Sequence, residues 1–328
     1  MLAFVIRRAL QALGVLLAVG LIAFAMFRFI GDPVNQMVGV DTPPGERAAI
    51  RRSLGLDDPA LVQFGRYLGQ AARFEFGISY QVRQPVSRLL AERLPATLEL
   101  AFCAMIFALG FGLPMGVFAA LKRDTAPAKL LQAVSLVGIS LPTFLIGILL
   151  IWVFSVTLGW LPSFGRGETV RLGWWTTGFL TASGLKALIL PTVTLGLFQT
   201  TLIMRLVRAE MLEVLRSDYI RFARARGLKP RAIHFGHALK NTLVPVITVA
   251  GLQLGSVIAF ALVTETVFQW PGMGLLFVQA VQTADIPIMA AYLLLVGLMF
   301  VTINLVIDIL YTVVDPRLRA PIRRPMSR

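Results

Sequence analysis

Between Leu130 and Gly165 the chain reads LLQAVSLVGISLPTFLIGILLIWVFSVTLGWLPSFG, without one charged side chain. A helix crosses the roughly 30 Å of a bilayer's hydrocarbon core in about 20 apolar residues, so this stretch holds a membrane span. Outward from it, further charge-poor windows of that length lie at Ala9–Phe27, Leu94–Leu121 (with Glu99 near one end), about Ala187–Met204, Asn241–Thr264 and Ile286–Ile307. The expectation is an all-α integral membrane protein with six transmembrane helices, which places both termini on one side. Ala9–Phe27 follows Arg7-Arg8 as a signal peptide's core would. It is too long for that role and no small-x-small cleavage pattern follows it, so it reads as a retained helix.

Composition agrees. Of 328 residues 57% are hydrophobic and only 15% charged, against about a quarter in a soluble domain. That balance excludes a soluble enzyme, a disordered chain and a secreted disulfide scaffold. Cys103 is the single cysteine and there are two histidines, which leaves little for a transition-metal centre. Cys103 itself reads as a packed apolar residue.

The net charge of +14 is placed by side in the short loops; the long segment Gly31–Pro95 carries eight Arg, but long loops translocate largely regardless of charge. With the N-terminus inside, short cytoplasmic segments hold Arg7, Arg8, Lys122, Arg123 and Lys129. They also hold the run from Arg205 to Lys240 and the tail Arg317, Arg319, Arg323, Arg324 and Arg328. The outer loop Gly159–Leu185 has only Arg166 and Arg171, and Gln269–Asp285 has none. Basic residues in short loops stay on the cytoplasmic side, so both termini are expected in the cytoplasm. Membrane orientation accounts for the charge, and no nucleic-acid partner is expected.

The chain divides into residues 1–30 with the first span, 31–95 as an external lobe, 96–314 as a five-helix core with an intracellular segment at 211–236, and a basic tail at 315–328. Within the lobe, Pro44–Leu54 begins as a short helix, and Val62–Phe74 has helical periodicity with Phe64, Tyr67 and Leu68 on one face. Trp160, Trp174 and Trp175 in the loop Gly159–Leu185 read as an interfacial aromatic belt. Pro114, Pro142, Pro191 and Pro245 fall within spans and are expected to kink them.

In the intracellular segment Asp218 can cap a new helix. Tyr219, Ile220, Arg221, Phe222, Ala223, Arg224, Ala225 and Arg226 follow, and Gly227 before Leu228 stops it. Two alanines thin this helix and three arginines decorate it. It contains no nucleophile–base pair and no paired carboxylates. It suits a docking knob with arginines for charge-assisted bonds. A loop that merely fixes topology has the same composition.

These residues carry a resemblance. Tyr219–Leu228, then His237-Ala-Leu-Lys-Asn241 and Pro245, resemble the cytoplasmic loop of permease subunits of bacterial dipeptide and oligopeptide ABC importers. Of that importer signature, Glu-Ala-Ala, three residues, then Gly, only Ala223 and Gly227 match, because Arg221-Phe222 replaces the first two places. Leu94-Pro-Ala-Thr-Leu-Glu-Leu100, Leu141-Pro-Thr-Phe144, Leu161-Pro-Ser-Phe-Gly165 and Leu190-Pro-Thr192 extend the likeness. Glu265 with Phe268, Pro271-Gly272 and Asp315-Pro-Arg317 complete it in order.

The resemblance implies a type I ABC importer permease fold in the bacterial inner membrane. It also implies a second homologous permease, two cytoplasmic ATPase subunits, an external peptide-binding protein and the lipid bilayer as partners. Asp218–Leu228 would be the ATPase-coupling helix. No enzyme activity and no cofactor are expected in this chain, since it has no phosphate-binding loop; ATP and Mg would be bound by the ATPases. Nickel chelates or glutathione are alternative cargoes. An ion-driven transporter would call for carboxylate chains and inverted repeats, which the sequence does not show.

Ionisable residues in spans are functional candidates. Glu265, near the outer face, is expected to serve a structural or outer-gate role by pairing with a neighbour, ahead of meeting a peptide's amino group. Asn304 is expected to bond between helices or to line the pathway. Glu99 and Asp308 are expected at the outer and inner interfaces.

Overall fold

The computed structural model describes residues 2–29, 34, 43–53 and 55–314. Most of the start of the external segment, including Gly31-Asp32-Pro33 after the first span, and the basic tail 315–328 lie outside them. Among the described residues five helices are long and apolar enough to cross a membrane. They lie in α1 (Leu2–Phe29), α4 (Val86–Leu121), α7 (Ala182–Arg216), α9 (Leu239–Val267, entered through a π-helical turn at Ala232–Ala238) and α11 (Ile286–Val314).

The third expected span differs. The charge-free stretch forms α5 (Ala126–Ser140) and α6 (Thr143–Leu150), the latter running on in π-helical form through Ile151–Thr157. The two halves meet at 106°. The break falls at Leu141-Pro142, where Pro142 stands at φ −58°, ψ 138° ahead of the new helix. Proline has no N–H to continue the ladder, and its ring drives the preceding residue out of the helical region. Pro114, Pro191 and Pro245 stay inside continuous helices. The six spans are thus five continuous helices and one broken pair.

α4 and α7 form the central pair, and glycine sets their distance. A Cβ on Gly116 would lie 2.6 Å from Val207 Cβ and 2.7 Å from the Met204 carbonyl oxygen. On Gly196 it would lie 2.8 Å from Phe107. Lipid supplies no hydrophobic drive between helices, so such close backbone packing takes its place. α9 packs on both helices and α11 on α9, with Phe300 and Ile307 seated over Gly255 and Gly251. α1 is peripheral and leans on α11, where Arg8 pairs with Asp308 at 3.0 Å. That pair puts Asp308 at the inner end of α11.

The external segment carries α2 (Pro44–Ser53) and α3 (Ala60–Ala72). Phe64 and Tyr67 of α3 meet Phe24 and Phe27 of α1, with ring centroids 5.4 Å apart for Phe24–Phe64 and 5.6 Å for Phe27–Tyr67. Burial there pushes the Tyr67 phenol above its ordinary range. The outer loop after α6 adds a two-stranded antiparallel hairpin, β1 (Val170–Leu172) and β2 (Trp175–Thr177), to the otherwise helical fold. Gly173 in its turn takes φ +65°, a left-handed conformation that costs glycine nothing. α10 (Met273–Gln282) is a short outer helix before α11.

Candidate coupling helix and outer buried network

α8 spans Asp218–Ala225. Ser217 is its cap residue and Asp218 its first helical position, so the helix begins one place earlier than expected. The Asp218 carboxylate accepts from Arg221 at 3.2 Å and sits where negative charge favours a helix start. The helix closes on two bonds, Gly227 N–H to the Arg224 carbonyl (2.9 Å) and Leu228 N–H to that of Ala223 (3.3 Å). These are the paired bonds of a glycine-terminated Schellman stop, and Gly227 takes φ +75° as that stop requires.

The two faces of α8 differ. Ile220 and Ala223 are buried and join one apolar cluster with Val207 and Met211 of α7 and with Ile233 and Ala238. That cluster continues without interruption into α4 and α9. Tyr219, Arg221, Phe222, Arg224, Ala225, Arg226, Gly227 and Leu228 are exposed, Phe222 at 65%. The Arg226 guanidinium lies 5.9 Å from the Phe222 ring centroid. The Tyr219 hydroxyl and His237 Nδ1 are 2.6 Å apart, tying α8 to the π-helical turn. Beside α8 an open hollow of about 590 Å³ is lined by Glu210, Glu213, Val214, Ser217, Tyr219 and Asn241. A basic, partly apolar knob therefore stands next to an acidic hollow, on a base that belongs to the membrane core.

At the other face, Glu265 is wholly buried. Thr97 Oγ1 donates to Glu265 Oε1 at 2.6 Å and accepts from Met273 N–H at 2.9 Å. Leu275 N–H donates to Glu265 Oε2 at 3.0 Å. Carboxylate and hydroxyl together satisfy amides that the first turn of α10 cannot pair internally. A Cβ on Gly272 would collide with this carboxylate. In this conformation the group caps α10 and fixes it to α4, which is the structural side of the role expected for it.

Glu99, expected at the outer interface, is 3% exposed in an ion pair with Arg166 of the outer loop, itself 6% exposed, at 2.5 Å. Arg166 also donates to the Thr176 carbonyl (2.6 Å) and hydroxyl (3.0 Å), and Trp175 Nε1 donates to Glu99 at 3.2 Å. Trp175 is thus a strut of this network, while Trp160 and Trp174 are exposed as a belt would be. Trp270, fully buried, lies under Arg166 and donates to the Ala96 carbonyl at 2.9 Å. Nearby, the Ser79 hydroxyl donates to buried Asp285, clamping the end of the external segment onto the α10–α11 turn. Asn304 is half-buried and its Oδ1 has no hydrogen-bond partner among the described residues. Among the described residues no three His, Cys, Asp or Glu side chains cluster as metal ligands.

Sequence alone assigns no individual role to Arg166, Thr97, Trp270, Ser79 and Asp285, although Thr97, Ser79 and Asp285 fall within the stretches that carry the resemblance. For Arg166 a signal existed, since a carboxylate inside a span needs a cation and the adjoining outer loop offers only two.

Residues 112–320 match the model of the binding-protein-dependent transport system inner membrane component, and residues 1–101 match that of the N-terminal part of such components. The chain is 42% identical to a di/tripeptide transport system permease protein of Pseudomonas aeruginosa, across 97% of this chain and 99% of that one. It is 38% identical to a glutathione transport system permease protein of Salmonella paratyphi A, over 97% and 99%. Among solved structures, a chain of the inward-facing MetNI methionine ABC transporter superposes with a TM-score of 0.56 at 21% identity, covering 69% of this chain and 96% of that one.

Proposed function

Because the chain belongs to the family of binding-protein-dependent transport system inner membrane components, we propose that it forms half of a peptide passage through the inner membrane, worked from the cytoplasm through α8. The other half is a second, similar permease. Of two ATPase subunits, which bind ATP and Mg, one receives α8 in a cleft, and an external protein delivers dipeptides or oligopeptides. The observation that carries this reading is the architecture of α8, with an exposed face of Tyr219, Phe222 and three arginines on a base packed into the spans. A knob that moves only with its base transmits rigid-body rotation of a neighbour into tilting of α7 and α9, as alternating access requires.

Peptide cargo is supported by the near full-length likeness to a di/tripeptide permease. Glutathione, itself a short peptide, is the competing cargo, on the strength of the other relative. The test is uptake by the transporter reconstituted with its ATPases and binding protein. Dipeptide uptake should require hydrolysis-competent ATPases and resist excess glutathione. Uptake that persists with inactive ATPases overturns the importer reading. Uptake of glutathione in preference to dipeptides overturns the cargo.

A further inference from the structure

The external segment is not all external. At about 100° per residue, α3 divides into three sectors. Phe64, Tyr67, Leu68 and Ala71 form the half-buried sector, packed on α1 and α11. Gln63, Arg66 and Gln70 form a polar sector. Gln63 donates to the Leu56 and Asp58 carbonyls at 2.8 and 2.7 Å, and Arg66 pairs with Asp58 at 2.5 Å. The third sector, about 100° wide by the same helix geometry, holds Leu61, Val62, Gly65, Gly69 and Ala72 and no polar side chain. All five are exposed, Leu61 at 84% and Val62 at 52%.

Depth can be read along two spans from the contact at Gly20. Leu68 touches α1 at Gly20, eight residues inward of Arg28, or about 12 Å along the helix. Gly20 also faces Leu294, eight residues inward of the start of α11 at Ile286, again about 12 Å. A helix whose side chains reach that far below both outer ends lies among acyl chains, not in water. α1 beside it likewise has exposed apolar side chains, with Leu17, Leu21 and Ile22 open.

We propose that α3 (Ala60–Ala72) is an in-plane helix seated in the outer leaflet, with Leu61, Val62, Gly65, Gly69 and Ala72 covered by lipid acyl chains. Sectors of this kind bind the boundary between headgroups and acyl chains through their apolar area. The lobe is thereby anchored to the bilayer as well as to α1, and the exposed apolar surface that would be a liability in water is accounted for.

The full chain carrying Cys103→Ala, with the subunits that accompany it, is reconstituted in phosphatidylethanolamine–phosphatidylglycerol vesicles. A nitroxide is attached at Leu61→Cys, Gly69→Cys, Arg66→Cys or Gln70→Cys, one at a time. At positions 61 and 69 oxygen should relax the label more than a water-soluble nickel chelate does, with the order reversed at 66 and 70. Nickel reaching position 61 as readily as 70 would mean an aqueous face awaiting a soluble protein, and overturns the proposal. Exclusion of both reagents at 61 would mean cover by another polypeptide, and overturns it too. A fluorophore at position 61 gives an independent reading. Lipids brominated along the acyl chain should quench it more than iodide does, and the reverse contradicts lipid burial.

Discussion

Gly227 isolates a backbone effect. Its φ of +75° is left-handed, yet no atom lies within 4 Å of where a Cβ would stand. Gly227→Val therefore costs only the conformational penalty, roughly 1–2 kcal/mol, with no clash. The protein should fold and insert normally while α8 loses its stop, so ATP hydrolysis proceeds with uptake reduced or lost. Gly227→Asn, which tolerates this conformation, should keep most of the uptake. Parallel assays of hydrolysis and uptake check both.

Glu265 permits a separation of roles. Both of its oxygens accept hydrogen bonds, so Glu265→Gln sets one amide nitrogen against a donor. It should cost about 1–3 kcal/mol, read as a lower melting temperature in detergent, and leave the apparent affinity for cargo unchanged. Arg166→Met strands the buried charge of Glu99 and should cost about 3–5 kcal/mol, part of it recovered when Glu99→Gln is added. Thermal unfolding of the single and double variants measures this. At this scale the sequence marked Glu265 and Glu99 as unusual but not what they do. Thr97 is 168 residues from Glu265 and Arg166 is 67 from Glu99, and no local pattern joins residues so far apart.

Among the elements, spans were legible because hydrocarbon solvation requires a run of apolar residues that counting finds. Their geometry was not. Pro95, Pro114, Pro191 and Pro245 sit inside continuous helices while Pro142 breaks a span, and hydropathy is blind to that difference. Glycine offers the sharper element-scale prediction. Gly116 touches α7 and Gly110 touches nothing within 4 Å, though both lie on α4. Gly116→Val should abolish folded yield from membranes while Gly110→Val is tolerated, as detergent-extracted monodisperse protein will report. The π-helical turn before α9 and the β1–β2 hairpin had no strong signal. The hairpin is only three residues on each strand and is held in place largely by Arg166 bonding Thr176 and Glu99.

For the whole molecule, the placement of arginine and lysine was enough to orient the chain, since positive charge is retained inside. The knob at α8 was readable as small, basic and glycine-terminated. What the sequence withheld was its foundation, because Ile220 and Ala223 become part of the membrane core only once α7, α9 and the π-helical turn converge on them. The central claim is that this foundation carries force from an ATPase into the spans. The direct measurement is disulfide crosslinking from Phe222→Cys on α8 to single cysteines along the ATPase cleft, in the assembled transporter with and without ATP. The account predicts efficient crosslinks whose pattern shifts with nucleotide. A transporter that hydrolyses ATP and takes up its cargo while Phe222→Cys crosslinks to no position of the cleft would contradict it.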